Sequence, residues 1–358
     1  KWFEDVVAPD FLLRQVDDYF NTGVISRPGF CCEKFSSVLL RNIYLNEKAL
    51  IGVEKAFSKA GKRDFLYGGA KEAGWRYGEW LELPSAAFVL RDALMQGMNR
   101  YFAVAYGMKS SVLVSWRNRR CAIKLENTPI MRKLGKSAFM QGSWVGYWAF
   151  FCRDKTIECF NKLGACGPFG FKSEIVSAPA KNLPKIDFKY PNVKPVPFTK
   201  RYNQANTPVD SNIEPLFELP LADGLATTLE FQNDLFFQIE ASFLFIPESK
   251  APKLFYKPVF KAFEELGKKV KKKGGTGNKL EYACRFFTTL GWGLVEATGR
   301  REVTVRGFPW TPEVEQIGVS KYFLGSFDGF LTGLTGKKVK SKVNVLDKEK
   351  RFDFKLSF

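Results

Sequence analysis

An α+β chain made from two copies of one domain is the fold class that the sequence predicts, and three observations carry it. The first is a long internal repeat. The second is that helical and alternating-strand periodicities follow one another in the same order in each copy. The third is a helix in each copy whose glycines recur at i and i+4.

Set against itself so that Thr128 falls on Thr311, the chain aligns 128–172 with 311–355 without a gap, and thirteen of the 45 pairs are identical. They include Thr128/Thr311, Pro129/Pro312, Gly142/Gly325, Gly146/Gly329 and Phe171/Phe354. Unrelated segments of ordinary composition would share about three. The chain is therefore read as a first domain over 1–176, a linker over 177–212 and a second, diverged domain over 213–358. Five prolines between Pro179 and Pro197, with lysines among them, argue against long regular elements in that linker.

Within each copy the elements can be placed in order. Apolar and small residues recur at helical spacing over 66–83 and 257–273, and again over 88–107 and 280–293. Alternating strands follow, 111–116 and 121–127 in the first copy and 293–297 and 302–308 in the second, joined by the basic turns RNRR and TGRR. Then comes the glycine-punctuated helix, 142–151 or 325–334, and a closing β-hairpin. The bare face of that helix predicts close approach of another backbone, expected as helix-on-sheet packing, with a ligand crossing the face as the other use. The lead-in to the second copy, 225–247, reads as strand-rich, and 10–60 leads into the first.

Composition sets the limits on function. The 358 residues are 45% apolar and include 35 phenylalanines, enough for a large core. The longest apolar run, 139–152, falls short of the ~20 residues of a membrane span. The N-terminal residues lack the layout of a signal peptide, so a cytoplasmic protein without a membrane span is expected. Seven cysteines over this length do not form a disulfide framework, and Cys31-Cys32 reads as neighbours pointing opposite ways on an extended segment. There is no histidine, which removes Ser-His-Asp and Cys-His catalysis and the commonest zinc ligand. The 55 basic and 37 acidic residues leave a formal charge of +18, suited to a polyanion or to a well-solvated surface.

The order LYGGAKEAGWRYG at 66–78, GSWVGY at 142–147 and IEC with a second cysteine and a phenylalanine behind it at 157–169 resembles the vinyl-4-reductase small-molecule-binding domain. GSFDGFLTGLTGKKV with RFDF, at 325–354, resembles a second such domain without its cysteines. The resemblance implies a central antiparallel sheet flanked by helices, shared with Bet3-like transport-complex proteins. It also implies binding of an apolar small molecule and, in sensor members, a cysteine-rich zinc site near the closing hairpin of the first domain.

A turn at Asn161-Lys162-Leu163-Gly164 would set Cys159 opposite Cys166 with Cβ atoms ~5 Å apart, and the same register would set Lys342 against Glu349. The two thiols are then a reduced pair, a disulfide, or part of a metal site with Cys152 as third ligand. A small-molecule pocket would take its walls from Tyr106, Trp144, Tyr147, Trp148, Phe151, Trp292, Phe327 and Phe330. Nucleic-acid binding is the second reading, through Arg117, Arg119, Arg120, Arg300 and Arg301 on equivalent strand turns and Lys271, Lys272 and Lys273 ahead of GGTGNK. Trp116 and Trp310 lie near enough in sequence to stack bases. The glycine loop lacks phosphate-loop spacing, and no residue is marked out for catalysis. The expected protein is a non-catalytic regulatory or scaffold molecule with a small-molecule or protein partner, and a homodimer is compatible with it.

Overall fold

The computed structural model describes residues 25–28, 39–80, 92, 95, 96, 99, 109–126, 128–167, 170–180, 216, 221–222, 225–226, 228–309, 319–345 and 354–357. The fold is α+β, with helices packed on antiparallel sheets. In the first half, β1 (Ile25–Pro28) pairs with β2 (Leu39–Asn46). Asn46 ends that strand and starts a helix: its side chain accepts from Ala49 N at 3.0 Å, capping α1 (Glu47–Lys59). After α2 (Arg63–Trp80) come β3 (Lys109–Ser115), β4 (Arg120–Glu126), the single turn α3 (Met131–Leu134), α4 (Ala138–Cys152), β5 (Ile157–Gly167) and β6 (Gly170–Pro179).

The second half opens with the short pair β7 (Leu221–Ala222) and β8 (Leu225–Ala226). It continues through β9 (Leu229–Phe231), β10 (Asp234–Glu240), α5 (Ser242–Lys250), α6 (Lys253–Lys273) and α7 (Lys279–Thr289). It closes with β11 (Leu294–Gly299), β12 (Glu302–Arg306), α8 (Lys321–Thr335), β13 (Lys342–Val345) and β14 (Phe354–Ser357). The sheets β3-β4-β6-β5 and β11-β12-β14-β13 have the same order. Helices α4 and α8 begin and end at equivalent positions of the repeat, Ala138 with Lys321 and Cys152 with Thr335. Each is capped by a serine, Ser137 or Ser320, that accepts from the third amide beyond it.

A third sheet, β1-β2-β10-β9, joins the halves. Its centre pairs β2 with β10: Asn42 faces Glu240, Tyr44 faces Gln238 and Asn46 faces Phe236. When the two strands are laid side by side in the same direction, Asn42, Tyr44 and Asn46 fall on Phe236, Gln238 and Glu240. Asn42 therefore pairs with the counterpart of Asn46 and Asn46 with the counterpart of Asn42, a local twofold about Tyr44 and Gln238. The helices follow that symmetry, with α1 against α6 and α2 against α5. A Cβ on Gly52 would lie 2.9 Å from Pro258 Cβ, and one on Gly69 would lie 2.6 Å from Pro247 Cα, so the two seams carry the same glycine-proline contact with the partners exchanged. Tyr44 N donates to Leu290 O at 3.0 Å, Arg41 to Gly307 O at 2.8 Å and Tyr322 OH accepts from Asn46 N at 3.0 Å, all across the halves.

The bare glycine face meets a helix, not a sheet. Along α4, Gly142 lies on Tyr67 and Lys71 and Gly146 on Lys71 and Trp75 of α2; along α8, Gly325, Gly329 and Gly333 lie in turn on Tyr256, Phe260 and Glu264 of α6. Residue numbers rise together on both helices, so each pair is parallel. A methyl group on Gly146 or Gly329 would fall inside the envelope of the carbonyl oxygen of Lys71 or Phe260.

Four further expectations are corrected. Residues 242–247 are helical, in α5, where a strand was expected. A short apolar run has no period of its own to separate the two, and this one is buried on every side. The closing hairpin of the first half turns between Gly167 and Gly170, not at 161–164; Asn161 and Lys162 pair within the strand, and Leu163-Gly164 form a bulge between Lys162 and Ala165. Likewise Lys342 pairs with Ser357, not Glu349, which lies outside the described residues. β6 reaches Pro179, so the strand intrudes on the expected linker, and 181–212 lie outside the described residues.

Two stability measurements test this packing. Gly329→Ala should lower the unfolding free energy by about 3 kcal/mol or more in urea titration, because backbone cannot yield as a side chain would. Arg153 ends α4 in the left-handed region (φ 51°), where the equivalent cap of α8 is Gly336 (φ 76°). Arg153→Gly should therefore raise stability by up to about 1 kcal/mol.

Candidate functional site

The aromatic residues expected to wall a pocket fill the core against one another. Trp144, Tyr147, Trp148 and Phe151 are buried on α4; Tyr147 meets Phe151 at 4.8 Å between centroids and Trp148 meets Trp116 at 4.8 Å. In the second half Trp292 stacks on Tyr322 at 5.9 Å, Phe330 on Phe286 at 4.5 Å, and Phe327 packs on Phe287 at 5.4 Å. Trp116 is tied by its indole to Asp92. Tyr106 and Trp310 lie outside the described residues.

The two thiols of the closing hairpin do not meet, and Cys152, at the end of α4, lies near Cys121. Cys159 pairs with Ser177 and Cys166 with Phe171, so both cysteines sit on one strand, roughly 20 Å apart at ~3.3 Å per residue. That separation excludes a disulfide or a shared zinc ion between them, and the expected facing pair is corrected. Cys121, Ser177 and Cys159 do form one row across β4, β6 and β5. Burial pushes the thiols of Cys121 and Cys159 up to about 12, with Glu158 adding to the second, so neither is a thiolate near neutral pH. Among the described residues no group of three or more Cys, Asp or Glu is placed to hold a metal; Cys31 and Cys32 lie outside them.

The carboxylates beside the helices are structural. Glu54 accepts from Ser137 Oγ at 2.5 Å, Ala138 N at 3.2 Å and Phe139 N at 2.9 Å, at the start of α4. Its counterpart in the second half, Glu248, accepts from Ser320 Oγ at 2.7 Å and from Lys321 N at the start of α8. Tyr67 donates to Glu158 at 2.6 Å and Tyr256 to Asp328 at 2.6 Å. Asp234, 1% exposed, holds Lys48 of α1 and Lys269 of α6 and so ties the halves.

The cationic residues divide between the two halves. In the first, Arg117, Arg119 and Arg120 occupy the exposed β3–β4 turn, but Arg119 is bonded to Asp154 at 2.7 Å. Burial alone would raise Asp154; hydrogen bonds from Thr156 and Arg119 outweigh it and hold the carboxyl below its usual range. Lys71 is paired with Glu158 at 2.6 Å, and Lys155 lies over the Trp75 ring at 4.7 Å.

In the second half, by contrast, cations from three distant segments converge without ion pairs. Because α6 and α8 are parallel, their C-termini emerge together, and Lys271 Nζ lies 3.1 Å from where a Cβ on Gly336 would be. Lys271, Lys272 and Lys273 end α6, and Lys337, Lys338 and Lys340 follow α8 into Lys342 of β13. The chain is held there by Val339 N donating to Thr332 at 3.0 Å and Ser341 N donating to Asp328 at 3.0 Å. Across the sheet, Glu302, Ser357 and Lys342 form one row, which brings the β11–β12 turn, Arg300 and Arg301, to the same end. All nine side chains are exposed, and among the described residues none of them is in an ion pair. Lys337 to Lys342 was missed from sequence, although GKKVKSK directly after a glycine-packed helix was the available signal.

No helix among the described residues is long and apolar enough to cross a membrane. No family model, curated protein or solved structure matches the chain.

Glu248 supplies a pH test of this half. Complete burial raises its carboxyl to about 7, against the hydrogen bonds that favour the charged form. The folded state then binds the proton more tightly than the unfolded one, so the stabilisation is complete below about pH 4.5 and is lost as pH rises through 7. In urea titrations at pH 4.5 and 7.5, the wild type should lose up to about 3 kcal/mol relative to Glu248→Gln.

Proposed function

We propose that this protein is a binding scaffold for an anionic macromolecule, held at the cationic end of its second half. The observation that carries the reading is the set of nine exposed cations from α6, the α8–β13 segment and the β11–β12 turn, none of them ion-paired among the described residues. Helix C-termini attract cations at ~0.3–1 kcal/mol each, which gives Lys271, Lys272, Lys273 and Lys337 a local role. That account does not reach Arg300 and Arg301 on a hairpin turn, or Lys340 and Lys342 at a sheet end. Crowded like charges repel one another, and a bound polyanion relieves that repulsion. The seam supports a scaffold role: a shared sheet, reciprocal glycine-proline contacts and Asp234 bind the two halves together. Each half also keeps the hairpin, helix and hairpin order in keeping with the vinyl-4-reductase resemblance, while its aromatic residues are taken up by core packing.

Retention on immobilised heparin tests the reading. The wild type should elute only at raised salt, and R300E/R301E/K337E/K338E should elute far earlier, while R117E/R120E in the first half should shift little. Equal retention of the wild type and the four-site variant would remove the proposal.

A further inference from the structure

We infer that the polyanion is double-stranded nucleic acid, gripped through its phosphates and not read by sequence. This rests on the scaffold reading above and names the partner of the same surface. Among the described residues the surface is made of turns and helix ends: residues 271–275, 299–302 and 336–338 are exposed lysine, arginine and glycine, with Glu302 their acidic member. It offers no exposed aromatic ring among the described residues, so single strands, which bind by stacking bases on such rings, lack their usual platform. It offers no apolar anchor either, since among the described residues Leu113, in the first half, is the one large hydrophobic side chain left exposed. Insertion into lipid is thus unprovided for, and an anionic membrane would be held by charge alone.

The spacing favours two strands over one. Arg300 and Arg301 extend the β12 side of the sheet, and Lys340 and Lys342 the β13 side, with β14 between them. Two strand spacings put these rows about 9.6 Å apart. Long flexible side chains from the two rows can reach phosphates on both sides of a groove about 12 Å wide. The lysines at the ends of α6 and α8 prolong the contact along the second row, over no more than about 17 Å from Lys337 to Lys342. Among the described residues no helix or ribbon projects from this end to enter a groove, which leaves base edges unread and makes the contact one of backbone charge.

The test is fluorescence anisotropy of the full chain with a 20-base-pair duplex of arbitrary sequence, its single strand, a second duplex of unrelated sequence, and phosphatidylserine vesicles, from 50 to 200 mM KCl. About five phosphate contacts would give a salt slope near −4.5 and a loss of affinity of about 500-fold over that range. The two duplexes should bind alike and the single strand at least tenfold more weakly. Removing two contacts with R300A/R301A should flatten the slope by about 2, and K337A/K338A should do the same from the other row. Single strand or vesicles bound as tightly as duplex, or heparin retention without duplex binding, would overturn the inference and leave the scaffold reading standing. Loss of heparin retention itself would take away both. Unchanged melting temperatures for the two variants would show that the slopes report contacts, and a variant that melts early is replaced by the other pair.

Discussion

Backbone-to-backbone contact between two parallel helices governs the arrangement of this chain. Where Gly146 meets Lys71 and Gly329 meets Phe260, the absence of a single carbon lets the helices touch along their peptide groups. Glycine in a helix interior is unfavourable by about 1 kcal/mol, so the contact has to be offset by close packing along several turns. Parallel alignment adds an electrostatic cost, because two macrodipoles pointing the same way place two partial negative charges at one end and two partial positive charges at the other. Both ends answer it with polar partners. At the N-termini of α4 and α8 stand the buried carboxylates Glu54 and Glu248, and at the C-termini stand arginine or lysine.

The seam between the halves depends on the same closeness of approach. Its glycine-proline contacts use opposite residues on opposite sides, Gly52 with Pro258 and Pro247 with Gly69, so neither half could supply both partners of a single contact. Pro258 and Pro247 sit inside helices, where each removes a backbone donor. Their rings instead fill the space that the missing glycine side chains leave open. The central strands carry amides on one buried face, Asn42, Asn46 and Gln238, opposite Glu240, Phe236 and Tyr44. Polar groups there are costly, and a register slip of one residue would move them to the opposite face, so they help to specify one pairing between the halves.

What could be read in advance follows from what each residue has to satisfy locally. The repeat at 128–172 and 311–355 located α4 and α8 and set them in register, because an ungapped stretch preserves every cap and every glycine contact together. Their first turns, from Ala138 and Lys321, precede the glycines that marked them and carry no such signal. The seam was not visible, since the offset that lays Thr128 on Thr311 does not lay Glu54 on Glu248, and the glycine face of α2 is displaced differently again, so one spacing cannot align them all. The hairpin turn was misplaced for a related reason. Asn161 to Gly164 has turn-forming composition, but β6 must pair with β4 from Lys172 to Ser177, and only a long β5 gives β6 a partner on its other side over that length. Tertiary pairing outweighed local preference. Of the candidate surface, Lys271, Lys272, Lys273, Arg300 and Arg301 were legible as cations, but their meeting with Lys337 to Lys342 depends on the parallel helices, which no local pattern records.

The two cationic ends differ in how their charge is met. The two halves share sheet order and helix packing, so charge attracted merely by helix C-termini should be compensated to the same degree in both. It is not. The first half answers Arg119 with Asp154 and Lys71 with Glu158, whereas at the α8 end the repeat lays Lys337 on Asp154 and Ser341 on Glu158. Asp154 of the first half is thus replaced by a lysine in the second, whereas the carboxylate that accepts from the helix tyrosine is kept, moved from Glu158 to Asp328. The fold tolerates neutral pairing at this end, so the unpaired charge of the second half is not a requirement of the architecture. On the proposed reading, that charge is met by a partner outside the chain.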